Sequence, residues 1–121
     1  ISIHQFPFYP GTGLQTEKGE HGNVLNVPVP SGYGSNEYRQ IFDVQIFPFI
    51  QNFSPDLLII SAGFDAHRND PLAGINLVEG DYAYMTKYCL EIQHNLLLGL
   101  EGGYNLNALR DCCVSVVNEL V

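Results

Sequence analysis

Tryptophan is absent from this 121-residue chain, methionine occurs once, and only 5 lysines and arginines stand against 13 acidic residues. The shortage of basic charge leaves a formal net charge of −8. That balance excludes a conventional nucleic-acid surface, which needs a basic footprint. It suits a cationic partner, although acidic soluble domains are common. No apolar run approaches a membrane span, and no basic stretch followed by an apolar region marks a signal peptide. The three cysteines, Cys89, Cys112 and Cys113, form no paired framework. A bridge between the neighbours Cys112 and Cys113 would be strained. All three fall in helical patterns, so reduced, buried thiols in a cytoplasmic (or, in a eukaryote, nuclear) protein are expected. No internal repeat, low-complexity segment, Cys-x-x-Cys or His-x-x-x-His pair is present.

What is present is a core. Hydrophobic residues make up 45% of the chain. Residues 5–23 are rich in Gly, Pro, Thr and aromatics and read as a long loop, a feature usually tied to function. Val24–Val27 reads as a strand that Pro28 ends. Ser35 is placed to cap a helix starting near Asn36, with Tyr38, Ile41 and Phe42 on its apolar face. Pro48 should kink or split that helix. Leu57–Ile60 is a continuous apolar run between turn signals, the pattern of a strand covered on both faces. A helix begins near Glu79, with Met85, Tyr88, Cys89 and Ile92 inward. Leu96–Leu100 is the next strand. Asn105 then caps a last helix with Leu109, Cys112, Cys113, Val116, Val117 and Leu120 inward. Strands alternating with helices imply an α/β fold with a parallel sheet. The chain opens on a strand pattern without an initiator methionine and stops inside a helical one, and so reads as an excerpt.

Ligands of parallel α/β sheets sit beyond the carboxyl ends of the strands. Two polar loops fall there, Gly63-Phe64-Asp65-Ala66-His67 and Glu101-Gly102-Gly103-Tyr104. A desolvated carboxylate at Asp65 calls for a cation or metal; a loop aspartate capping a backbone donor has the same local pattern. Tyr104 follows two glycines that allow close backbone approach. Its phenol suits a developing oxyanion, and equally a packing role at a helix start. His67 reads as a loop-stabilising residue rather than a second ligand. Pro10-Gly11-Thr12-Gly13 lacks the ending of a phosphate loop and reads as a turn-rich pocket wall, with Phe8 and Tyr9 beside it.

Taken in order, five motifs resemble one family: Ser2-Ile3-His4-Gln5, Phe8-Tyr9-Pro10-Gly11-Thr12-Gly13, Asn26-Val27-Pro28, Ser61 to His67 with Asp70-Pro71-Leu72, and Leu100-Glu101-Gly102-Gly103-Tyr104. Their wording is similar to that of histone deacetylases, in the class II and bacterial amidohydrolase style, over nearly the whole chain. The resemblance implies the three-layer arginase/deacetylase fold, here incomplete, with residues 1–121 as the carboxy-terminal part of one catalytic domain. It implies Zn2+, with Asp65 matching one ligand; an Asp-x-His pair and two catalytic histidines would lie upstream. Tyr104 matches the tyrosine that hydrogen-bonds the amide oxygen. Tyr9, Leu72, Gly102 and Gly103 match the walls and rim of an acyl-lysine tunnel. Ser2 and Ile3 match a structural K+ site. Glu101 favours class II, and Tyr rather than His at 104 favours an active lineage. The implied activity is deacetylation of lysine side chains in histones or other proteins. An acetylpolyamine or other small-amide hydrolase is the alternative, and an inactive remnant or interaction module is a reading of another class. The implied partners are an acetylated lysine peptide or acetylated amine, and the amino-terminal part of the same domain.

Overall fold

The computed structural model describes residues 1–121. The elements are β1 (Ser2–Gln5), β2 (Asn26–Val29), α1 (Ser35–Ile41), a π-helical turn (Phe42–Ile46), α2 (Phe47–Phe53), β3 (Leu58–Ala62), α3 (Glu79–Ile92), β4 (Leu96–Leu100) and α4 (Leu106–Leu120). The strands form two parallel pairs, β1 with β2 and β3 with β4. In the second pair Leu58 lies opposite Leu96 and Ala62 opposite Leu100. No helix is long and apolar enough to cross a membrane.

The parallel α/β arrangement agrees with the alternation in the sequence, and β4 falls where its apolar run predicts. The strand expected at Val24–Val27 instead spans Asn26–Val29 and carries Pro28 inside it, opposite His4. A strand paired on one side tolerates proline, because its other edge needs no donor. The expected cap at Ser35 also differs. Gly34 is the first residue before α1, and its N–H donates to Glu37 Oε2 at 2.9 Å. The Ser35 hydroxyl instead donates to Asp81 Oδ2 at 2.6 Å, across to α3.

Residues 35–53 run as one continuous helical rod whose middle winds wider than an α-helix. Pro48 sits in the first turn of α2. Proline has no N–H to give to the preceding turn, and the disruption expected from it takes the form of a π-turn immediately upstream. The rod stops at Ser54, whose φ of 54° is left-handed, one residue before Pro55.

The core gathers Val27 and Val29 of β2, Tyr38, Phe42, Ile46, Phe47 and Ile50 of the rod, Phe64, Ile75 and Leu77 of the β3–α3 connection, Tyr82 and Cys89 of α3, and Cys112 and Val116 of α4. Met85, Ile92, Leu109 and Cys113 pack against it only partly buried. Tyr88, Val117 and Leu120, expected inward, are exposed. The β3–β4 pair turns Leu58, Ile60, Leu96 and Leu98 toward the core. Its other face is bare: the register partners Ile59 and Leu97 are 63% and 55% exposed. Within this chain, then, the pair is covered on one face only.

The α3 start is tied to α1 by one carboxylate. Asp81, almost fully buried, accepts from the Val78 N–H at 3.0 Å, from the Ser35 hydroxyl, and from Arg39 at 3.0 Å. An acidic residue in the first helical turn both caps orphan donors and complements the helix dipole.

Candidate active site

Strand β3 ends at Ala62 and β4 at Leu100, and the two exit loops continue side by side. Glu101 donates its N–H to the Ala62 carbonyl at 3.0 Å, and Phe64 donates to the Gly102 carbonyl at 2.8 Å. These bonds extend the parallel ladder past the sheet and bring Asp65 against Gly102. A Cβ at Gly102 would stand 2.7 Å from Asp65 Oδ2 and 3.5 Å from Tyr104 Cε2. A Cβ at Gly63 would stand 3.2 Å from Asp65 Oδ1. The carboxylate thus lies in a slot between two glycines, and the Tyr104 ring borders the same point. Gly103 has φ of 135°, and a Cβ there would meet Phe64 Cβ at 3.1 Å. Only glycine fits that position without strain.

Asp65 is partly buried and forms no ion pair. Loss of solvation pushes its carboxyl above the usual range; its own backbone N–H opposes the shift, and the negative charge of Asp70 adds to it. A carboxylate in this state is relieved by a cation. The donor set fits one ligand of a zinc ion: a desolvated oxygen on a rigid strand end, with no competing basic side chain. No group of three His, Cys, Asp or Glu residues in the chain converges to hold a metal, so Asp65 has no companion donor within it.

Asp65 and Gly102 line a cleft of about 510 Å³ together with Ser2, Ile3, Tyr38 and Tyr82. Burial first, then the Asp65 charge, holds the Tyr38 phenol above its usual range; Tyr82 is raised likewise, by burial and then by charges including Asp65. The Tyr82 hydroxyl is buried without a hydrogen-bond partner. Both phenols therefore stay protonated beside the carboxylate. Ser2 Oγ lies 2.9 Å from His4 Nδ1. Tyr9 and Leu72 are not part of the cleft; they are 94% and 60% exposed on surrounding loops. Tyr104 is 57% exposed at the β4 exit.

His67 is fully committed to its loop. Its Nδ1 accepts the Asn69 N–H at 3.1 Å, so the proton resides on Nε2, which faces Glu79 Oε1 at 3.3 Å. The loop-stabilising reading therefore describes it, and no lone pair is left for a metal. Tyr82 escapes the sequence reading, although a signal exists: it lies one heptad before Cys89, on the same buried stripe of α3. Asp70 is named in the sequence only as part of a motif, without a role. Its side chain holds a turn of its own and reaches the Tyr104 backbone.

The histone deacetylase domain model matches residues 1–120. The chain therefore belongs to the histone deacetylase family. It is 47% identical over 120 residues to an uncharacterised protein of Synechocystis sp., covering 99% of this chain and 40% of that protein. The crystal structure of the HDA15 HD domain superposes with a TM-score of 0.93 at 37% identity, covering 98% of this chain and 36% of that one. An acetylpolyamine aminohydrolase from Burkholderia pseudomallei superposes with a TM-score of 0.89 at 26% identity, again over 98% and 36%. The fold is accordingly the arginase/deacetylase one, represented in part: the chain spans about two fifths of the Synechocystis relative it matches.

Proposed function

We propose that this chain is the carboxy-terminal part of a zinc-dependent deacetylase domain that hydrolyses the acetyl amide of lysine side chains. The observation that carries this is the convergence at Gly102 of a partly buried carboxylate with no basic side chain paired to it, Asp65, and the ring of Tyr104. Asp65 is assigned as one zinc ligand. Zinc, when bound, supplies Lewis-acid polarisation of the amide carbonyl and a more acidic water.

Tyr104 is assigned to donate its phenolic hydrogen to the amide oxygen as negative charge develops there. Gly102 and Gly103, having no side chains, let the acyl group approach along the loop wall. Tyr9 and Leu72, both exposed, supply an apolar rim for the lysine stem. Ser2 and Ile3 are assigned to a structural K+ site. The Ser2 hydroxyl, 2.9 Å from His4 Nδ1, keeps a lone pair for a cation whichever of the two donates. The remaining ligands and the general base are assigned to the amino-terminal part of the same domain, in keeping with the fraction of each relative that this chain covers.

A small acetylated amine is the second substrate reading, favoured by the close superposition on the acetylpolyamine aminohydrolase. The full-length protein, assayed with zinc against an acetyl-lysine peptide and an acetylated diamine, separates the two. Tyr104→Phe is expected to lower kcat about 10²–10³-fold, the usual cost of an oxyanion donor. Unchanged turnover would remove Tyr104 from the mechanism. The 121-residue chain alone is expected to be inactive with zinc, and turnover above background would overturn the division of ligands.

A further inference from the structure

We infer that Asp70 is a positioning residue for Tyr104, acting through the tyrosine's backbone rather than through substrate or metal. This rests on the reading of Tyr104 as the oxyanion donor. The Asp70 carboxylate is divided between two loops. Its Oδ1 accepts the N–H of Leu72 at 2.8 Å and of Ala73 at 3.3 Å, closing its own turn. Its Oδ2 accepts the Tyr104 N–H at 2.9 Å, from 34 residues further along the chain. Both oxygens are thus occupied by amide donors, which leaves Asp70 unsuited to ligate a cation and suited to hold a loop.

That loop needs holding. Tyr104 follows Gly102 and Gly103, two residues with the widest backbone freedom, and its side chain is largely exposed. Its ring gains little from burial, so its direction depends on the backbone below it. Asn105 adds a second tie, donating from Nδ2 to the Asn69 carbonyl at 3.1 Å while its Oδ1 caps α4 through the Ala108 N–H. Residues 69 and 70 therefore grip residues 104 and 105 at two points. The Asp70 bond is the stronger, since a bond to an ionised acceptor is about twice as strong as a neutral one.

Asp70→Asn keeps the shape and removes one acceptor. The amide oxygen can close the turn or meet Tyr104, not both, and the NH2 group then faces an N–H donor. In the full-length protein this variant should lower kcat about tenfold or more, the equivalent of one lost hydrogen bond to a charged group. KM should change less than about threefold, because substrate contacts outside the tyrosine are untouched. In a Tyr104→Phe background the same substitution should cost less than about twofold, because the hydroxyl it aims is gone. An equal loss in both backgrounds, or no loss in either, overturns the inference. Hydrogen exchange of the unmutated protein gives a reading independent of catalysis and of how the variant folds. The Tyr104 amide should exchange at least about 100-fold slower than an unprotected amide, despite its surface position; exchange at the unprotected rate overturns the inference. A full-length protein that hydrolyses no acetylated amine, yet protects this amide, would refute the functional reading and keep the tether.

Discussion

Replacing Gly102 by alanine presses on the site at its tightest point. The new methyl would stand 2.7 Å from Asp65 Oδ2, 3.1 Å from Asp65 Cγ and 3.5 Å from Tyr104 Cε2. Non-bonded heavy atoms settle at about 3.5 Å or a little beyond, so the carboxylate must retreat by roughly 0.5 Å or more. The fold should bear this easily. The displaced atoms are the end of a short side chain, and the Gly102 backbone lies outside the left-handed region, so alanine also restricts the unfolded chain. Those effects leave the change in stability within about 1 kcal/mol. The site should not bear it. Functional groups must be held within about 0.5 Å of their working geometry, and metal–ligand distances within about 0.2 Å. Zinc affinity of the full-length protein should therefore fall about 10–100-fold, the range seen when ligand supports are removed. Deacetylation measured as kcat/KM should fall about 10²-fold. Gly80→Ala, in the first turn of α3 with nothing within 4 Å of the added carbon, is the control. It should gain about 0.5–1 kcal/mol from helix propensity and leave kinetics unchanged. Zinc competition with a chromophoric chelator, thermal melts and peptide turnover read all three quantities. Gly102→Ala with wild-type affinity and turnover would refute the assigned roles of Asp65 and Tyr104. A stability loss beyond about 3 kcal/mol would show that Gly102 serves the fold instead.

Two further outcomes are expected. Burial pushes the Cys89 thiol up to about 11, and burial with nearby negative charge pushes Cys112 up to about 12. A raised thiol pKa leaves less thiolate, so at pH 8 a disulfide reagent should titrate only the partly exposed Cys113 in the native chain and all three thiols in denaturant; rapid native labelling of Cys112 would contradict its packing. Asp81→Ala should lower stability by about 2–4 kcal/mol, because it strips partners from Ser35, Arg39 and the Val78 N–H together; a melting temperature within a degree of wild type would deny that carboxylate its role as a tie between α1 and α3.

How much of this is legible in the sequence depends on the range of the interaction. β4 is set by an apolar run between turn signals, and α4 by Asn105, whose cap on Ala108 is a local hydrogen bond. Local grammar suffices for both. Pro28 misleads, because whether a strand accepts proline depends on which of its edges is paired. Ser35 misleads for a related reason: a serine before a helix pattern suggests a cap, while the folded chain supplies a better acceptor 46 residues away in Asp81. The placement of Asp65 and Tyr104 at adjacent strand ends follows from the parallel α/β pattern. Their meeting over Gly102 does not, since it depends on ladder bonds that continue into the loops. The two buried phenols beside Asp65 come from separate helices; helical spacing marks both as apolar-face residues, and neither spacing shows that the two meet at Asp65. The Asp70 turn has a readable local part, an aspartate accepting from amides two and three residues ahead; its long-range bond to Tyr104 has no local mark.

The π-turn at Phe42–Ile46 acts as a phase shifter. Each residue of an α-helix advances the chain by about 100°, and a wide turn that takes up one extra residue cancels that advance, so the segments before and after it keep their faces aligned. Tyr38, on the amino-terminal side, and Phe47 and Ile50, on the other, all reach the core, whereas an unbroken α-helix of the same length would turn Tyr38 and Ile50 about 120° apart. Trimming a single residue at the exposed Val44 would remove the wide turn and leave a more regular helix with the apolar faces of both halves still inward. A one-residue gap in this stretch would thus leave Tyr38 in place, and with it one wall of the cleft that holds Asp65.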